Sequence, residues 1–248
     1  MLLPDRDDRK CTLHRPLRAG TQPVRLDRRA ALAGAASLAL FAPSIARAQS
    51  ARRVYRLERG GSDIGSQSLT VTRSGGEIVV DIDIDLRVSL LGITAYRYEM
   101  TNQERWSGGA VQSIRSNTNN DGEREFVEAR RTGAGLEISG SGFSGTLTGT
   151  VGTTTYWTPA MMRRPQWVNT QDGSTLNIVA SRRGSAQYPT ATGTVSTAVW
   201  SLGSDLPLIL YYTDAGEWAG STFDAQGEEV RYIAQSLAPS LGPIWSES

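Results

Sequence analysis

Between residues 49 and 248 the sequence predicts an all-β domain, a single antiparallel meander rolled into a barrel or half-barrel, and three observations predict it. Apolar residues return at every second position, most clearly in Asp81-Ile82-Asp83-Ile84-Asp85-Leu86-Arg87-Val88, which sets Ile82, Ile84, Leu86 and Val88 on one face. Turn signals cut such runs at spacings of 12 to 16 residues through the first half of the domain, longer than the ~8–12 typical of immunoglobulin-like sandwiches. Helical periodicity is nearly absent. Long strands joined by tight turns twist and coil, and the outcome is a sheet that curls on itself.

Taken in order, the strand-like runs are Val54–Leu57, Ser68–Thr72, Asp81–Val88, Tyr96–Met100, Phe126–Ala129, Leu176–Val179, Thr197–Trp200 and Val230–Ile233, each rich in β-branched or aromatic residues. Between them stand Gly60-Gly61, Gly75-Gly76, Gly92, Gly108-Gly109, Asn120-Asp121-Gly122, Gly133, Asp172-Gly173, Asp214-Ala215-Gly216 and Ala225-Gln226-Gly227. The segment Pro159–Arg164 reads as one short connecting helix, opened by Pro159 and ended by Pro165. The Gly/Ser/Thr-rich stretch 133–155 keeps its alternation around Leu136, Ile138, Phe143 and Leu147 and reads as slim strands.

The first 48 residues read as an address. Arg28-Arg29 precedes the apolar run Ala30–Phe41 and the small-residue site Ala46-Arg47-Ala48, the order of a twin-arginine signal peptide cleaved after Ala48. This predicts a periplasmic or secreted domain of residues 49–248, folded before export, with the twin-arginine translocase and signal peptidase as transient partners. Translation could start at Met1 or, with a compact basic segment, at Val24. The apolar run spans twelve residues, short of the ~20 that cross a bilayer, and no transmembrane segment is expected in the mature chain.

Removal of that segment narrows the chemistry. Lys10, Cys11 and His14 are the only residues of their types, so residues 49–248 hold no imidazole, thiol or lysine amine. A Ser-His-Asp triad, a cysteine nucleophile, a Schiff base, a disulfide and the usual zinc ligands are excluded together. Seventeen arginines face twenty-one carboxylates over the same residues, a mildly acidic balance that argues against nucleic acid as a partner.

Few motifs survive inspection. Gly140-Ser141-Gly142-Phe143-Ser144-Gly145 has dinucleotide spacing without the following helix, and no cofactor is expected. Asn117, Asn119, Asp121, Gly122 and Glu128 occupy calcium-loop spacing, but strands flank them, and a hairpin turn is the favoured reading with no metal site. Asp81, Asp83 and Asp85 read as a solvated sheet face. Glu99 with Glu104, or Glu217 with Asp224, could do acid–base work only if the fold brings them together. Trp106, Trp157, Trp200 and Trp218 lie in or beside strands, where indoles either fill the core or line a cavity for an apolar ligand.

The stretches Tyr98–Gly109, Thr118–Gly122, Tyr156-Trp157 and Leu210–Trp218 resemble those of an exported bacterial β-protein group, domain-of-unknown-function family 6134, over most of residues 53–235. The resemblance implies a β domain and carries no catalytic residue with it. The function expected is a non-catalytic binder of a lipid or other apolar or amphipathic ligand. A structural or interaction protein of the cell envelope is the alternative, and a carboxylate-based hydrolase the third reading.

Overall fold

A computed structural model describes residues 48–90 and 93–245. Arg28 and Arg29 lie outside the described residues; Ala48 is exposed, and the first strand begins at the next residue. Among the described residues fifteen strands form one sheet. They are β1 (Gln49–Arg59), β2 (Ser62–Ser74), β3 (Glu77–Leu90), β4 (Ile93–Ser107), β5 (Ala110–Asn120), β6 (Glu123–Thr132), β7 (Gly135–Gly140) and β8 (Ser144–Leu147), followed by β9 (Gly152–Thr153), β10 (Gln166–Val168), β11 (Thr175–Thr190), β12 (Gly193–Ser204), β13 (Leu208–Thr213), β14 (Trp218–Ala225) and β15 (Glu228–Ala234). A 3-10 turn over Pro159–Arg163 and a single helical turn, α1 (Gly242–Trp245), are the only helical pieces among them.

The strand order is β8-β7-β6-β5-β4-β3-β2-β1-β15-β14-β13-β12-β11-β10-β9, so the first and last strands pair in mid-sheet and the free edges are β8 and β9. Laid flat, fifteen strands would span about 70 Å at ~4.8 Å each. Yet β8 ends at Leu147 and β9 starts at Gly152, a stretch that reaches at most ~18 Å. The sheet must therefore curl until its two edges approach, which makes an open barrel with its seam between β8 and β9.

Alternation decides which residues fill it. On β3 and β4, Ile78, Val80, Ile82, Met100, Asn102, Glu104 and Trp106 face inward and are buried, while Asp83, Asp85, Arg105 and Thr101 face solvent. Leu57, Leu69, Val71, Val111, Ile114 and Leu136 complete this wall, each at 0–2% exposure, where a buried aliphatic side chain contributes about 1.5–3 kcal/mol.

The seam is closed by chain rather than by strand pairing. Residues 151–168 turn into the barrel and bury Val151, Trp157, Met161, Met162, Trp167 and Val168. Trp157 meets Trp106 edge-on at 5.8 Å, the Arg164 guanidinium lies 4.8 Å above the Trp106 ring, and Arg164 Nη2 donates to the Gly109 carbonyl at 2.8 Å. Across the gap the Gly142 N–H donates to the Asp172 carbonyl at 2.7 Å, and the Gln171 amide donates to Glu125 at 2.8 Å. The Gly140–Gly145 segment supplies the β7–β8 turn, where Gly140 N–H donates to the Phe143 carbonyl; the expected slim strand is broken there because the chain must reverse.

A buried ion pair anchors the C-terminal tail. Arg53 on β1 meets Glu217 at 2.6 Å, Glu217 also accepts from Ser240 Oγ and the Leu241 N–H, and Arg53 donates to the Pro239 carbonyl at 2.7 Å. The neighbouring hydrogen bonds satisfy both charges, the condition under which a buried pair is tolerated.

Candidate functional site

Above the plug, the curled sheet encloses a cavity of about 770 Å3, within the ~300–1,000 Å3 of small-molecule sites. The strand register sets its walls in rows. Nearest the hairpin tips stand Val88 opposite Tyr96 and Arg59 opposite Val230. The next row holds Leu57, Leu86, Tyr98 and Tyr232, and the row below holds Gln67, Ile84 and Met100. Thr154, Thr155 and Tyr156 from the plug form the floor, with Asn169 and Gln171 beside them. The mouth lies among the turns joining β1–β2, β3–β4, β12–β13 and β14–β15, represented by Arg59, Ala95, Leu206 and Gln226.

Tyr156 shows that the floor is held under tension. Its φ is +39°, a conformation a bulky side chain rarely adopts and that costs of order 1–3 kcal/mol. The Tyr212 hydroxyl donates to its carbonyl at 2.7 Å and its ring packs edge-on to Trp218 at 5.6 Å, contacts that hold the strained residue in place. Burial lifts its phenol to about 12, and burial first, then the phenols of Tyr156, Tyr98 and Tyr96, lifts that of Tyr232 well above its ordinary value. All these hydroxyls stay protonated and able to donate across the physiological range.

Of the tryptophans expected to line a cavity, none lines this one. Trp106, Trp157 and Trp218 are at 0–1% exposure within the packed interior, and Trp200 is half-buried on β12 against the core. The plug consumes the first two, and the lining aromatics are instead Tyr96, Tyr98, Tyr156, Phe223 and Tyr232. Alternation with Arg97, Glu99 and Arg231 marks Tyr96, Tyr98 and Tyr232 as inward-facing in the sequence itself. That the inward space beside them stays open has no such signal.

The acids do not converge. Glu99 and Glu104 project from opposite faces of β4, Glu99 outward beside Arg97 and Asn119. Glu217 is committed to Arg53, while Asp224 is exposed and accepts the Gly227 N–H in the β14–β15 turn. Asp81, Asp83 and Asp85 bond on the outer face to Gln103, Ser68 and Arg87. Residues 117–128 form the β5–β6 hairpin, with Asn117 opposite Phe126 and Glu128 opposite Arg115, so the calcium-loop ligands are spread along two strands.

Glu104 is nonetheless unusual. It is fully buried below the floor, where it accepts from Trp106 Nε1 at 2.8 Å, Thr153 Oγ1 at 3.2 Å and Asn102 Nδ2 at 3.4 Å. Burial raises its carboxyl to about 7 against the downward pull of these donors. These donors offset burial only in part, which leaves the carboxyl on the border of ionisation, and it does not line the cavity.

Among solved structures, the chain is similar to a beta-barrel-like protein of domain of unknown function DUF1849 from Brucella abortus, at 12% identity and a TM-score of 0.54 over 77% of this chain and 97% of that one. A likeness of that order shows the fold alone. No curated protein matches the chain. Residues 55–235, running from within β1 to the end of β15 and so including every wall of the cavity, match the family described as a domain of unknown function, DUF6134, and the chain belongs to that family.

Proposed function

We propose that this protein is an exported, non-catalytic carrier or receptor that holds an apolar or amphipathic small molecule inside its open barrel. The observation that carries the reading is the cavity, a space of about 770 Å3 walled by Leu57, Ile84, Leu86, Leu206 and Phe223 and entered between hairpin turns. Apolar surface lining such a space gains free energy when a ligand displaces water from it, at about 25 cal/mol per Å2. The scattered acids and the lack of His, Cys and Lys after residue 14 leave binding better supported than bond-making. The twin-arginine motif at Arg28-Arg29 supports a periplasmic or secreted site of action.

The test is direct. Residues 49–248, purified and delipidated, are titrated with the neutral apolar dye N-phenyl-1-naphthylamine, and saturable one-to-one binding is expected. Leu86→Trp, which fills the cavity from one wall, should abolish it. A dye signal that never saturates, or one indifferent to Leu86→Trp in a folded variant, would sink the reading.

A further inference from the structure

The buried tyrosines of this protein fall into two groups. Tyr55 donates to the Trp218 carbonyl at 2.8 Å, Tyr188 to the Tyr232 carbonyl at 2.7 Å and Tyr212 to the Tyr156 carbonyl at 2.7 Å, so each hydroxyl of the packed interior has a backbone acceptor. Tyr156 and Tyr232, which line the cavity, have none for their hydroxyls among the described residues. The Gln67 side chain, 4% exposed and on the same cavity wall, is likewise without a hydrogen bond there. None of the three is sealed away from solvent, so water in the cavity can bond them when it is empty, and a ligand that enters can replace that water with bonds of its own.

The chemistry of that partner can be narrowed. The charged residues of the lining, Arg59 and Asp205, both stand at the mouth and are engaged, Arg59 with the Ala225 carbonyl and Asp205 with the Asn177 amides. Thr154, Thr155, Asn169 and Gln171 on the floor are already bonded to Thr170, Thr153, Ser174 and Glu125, so the depth offers two free phenol donors, one free carboxamide and no cation in its lining, and an anion taken there would lose its hydration without compensation. Toward the mouth the wall turns aliphatic and aromatic through Leu86, Val88, Leu206 and Phe223.

We propose, resting on the binding reading above, that the ligand is an uncharged long-chain amphiphile bearing a carbonyl or hydroxyl head, held head-inward on Tyr156, Tyr232 and Gln67 with its chain along Leu86 and Val88 toward the mouth. The two phenols donate to the carbonyl oxygen, and the Gln67 amide matches an ester or hydroxyl beside it.

Calorimetric titration of the delipidated domain with two amphiphiles of one chain, neutral 1-monooleoylglycerol and the permanent anion oleyl sulfate, separates the possibilities. The neutral ligand should bind one-to-one and at least tenfold more tightly. Tyr156→Phe and Tyr232→Phe should each weaken it about fivefold, the loss of one hydrogen bond, and leave oleyl sulfate unchanged. Oleyl sulfate binding as tightly as the glyceride in the unmodified protein overturns the neutral, head-inward ligand while the apolar binder stands. Failure of both amphiphiles and of N-phenyl-1-naphthylamine overturns the two together.

Discussion

Glu104 makes the protein's stability depend on pH in a direction opposite to that of an ordinary salt-bridged carboxylate. Its carboxyl is held at about 7, against a usual 4.5, because burial penalises the ionised form more than Trp106, Thr153 and Asn102 favour it. The folded chain thus binds this proton more tightly than the unfolded chain. Below about 4.5 both states are protonated, and the residue's contribution is fully present and does not change with pH; between 4.5 and 7 the unfolded chain gives up a proton that the folded one keeps, so stability falls as pH rises. Above 7 the full difference, about 3 kcal/mol, is lost.

Glu104→Gln isolates this contribution, since the amide keeps an oxygen for the Trp106 indole and cannot ionise. In urea melts at about pH 5 the variant should lie within about 1 kcal/mol of the parent, and at about pH 8.5 it should be the more stable by about 2–3 kcal/mol. Other titrating groups, Glu99 and Glu125 among them, are common to both proteins and cancel in the difference. A gap between the two proteins that stays constant across that range would show that Glu104 does not titrate in it, and the reasoning from burial would fall.

Three further outcomes rest on a buried ion pair, a turn conformation and the twin-arginine motif. Arg53→Met leaves Glu217 buried without its cation and should cost about 3–5 kcal/mol in chemical denaturation, with the tail at Pro239–Leu241 becoming susceptible to proteolysis first. Gly122→Val should cost roughly 1 kcal/mol or more by the same assay, because φ at Gly122 is +98° and a β-branched residue resists it although nothing lies within 4 Å of the new Cβ. Replacing Arg28-Arg29 by Lys-Lys should leave precursor in the cytoplasm on cell fractionation; normal export of that variant would refute the twin-arginine assignment.

Much of the wall is legible in the amino-acid sequence. Period-two alternation places Ile82, Ile84, Leu86 and Val88 on one face, and the strand register confirms a single inner face shared with Met100, Tyr98 and Tyr96. The turns at Gly60-Gly61, Gly75-Gly76, Gly108-Gly109 and Asp121-Gly122 fall between strands as their chemistry requires, the last with φ of +54° and +98°. Gly92 lies outside the described residues. The β11–β12 turn at Ala191-Thr192 carries no such signal, since Gly193 follows it, and only pairing across the hairpin reveals it.

Sequence by itself determined the inward and outward faces of the strands with clear alternation, β3 foremost, and the positions of most turns, because both depend on neighbours within a few residues; β14, buried on both faces at Trp218–Thr222, shows no such alternation. It also determined which chemistries are unavailable after residue 48, because composition alone excludes them. Tertiary structure decided where the sheet is cut: β1 pairs with β15, and the seam falls in mid-chain between β8 and β9, a choice made by contacts between the two ends of the domain. It also decided which inward residues meet protein and which meet open space. Trp106 and Tyr98 sit on the same face of one strand; residues 151–168 fill the barrel as far as the first and stop short of the second, so one became core and the other cavity wall.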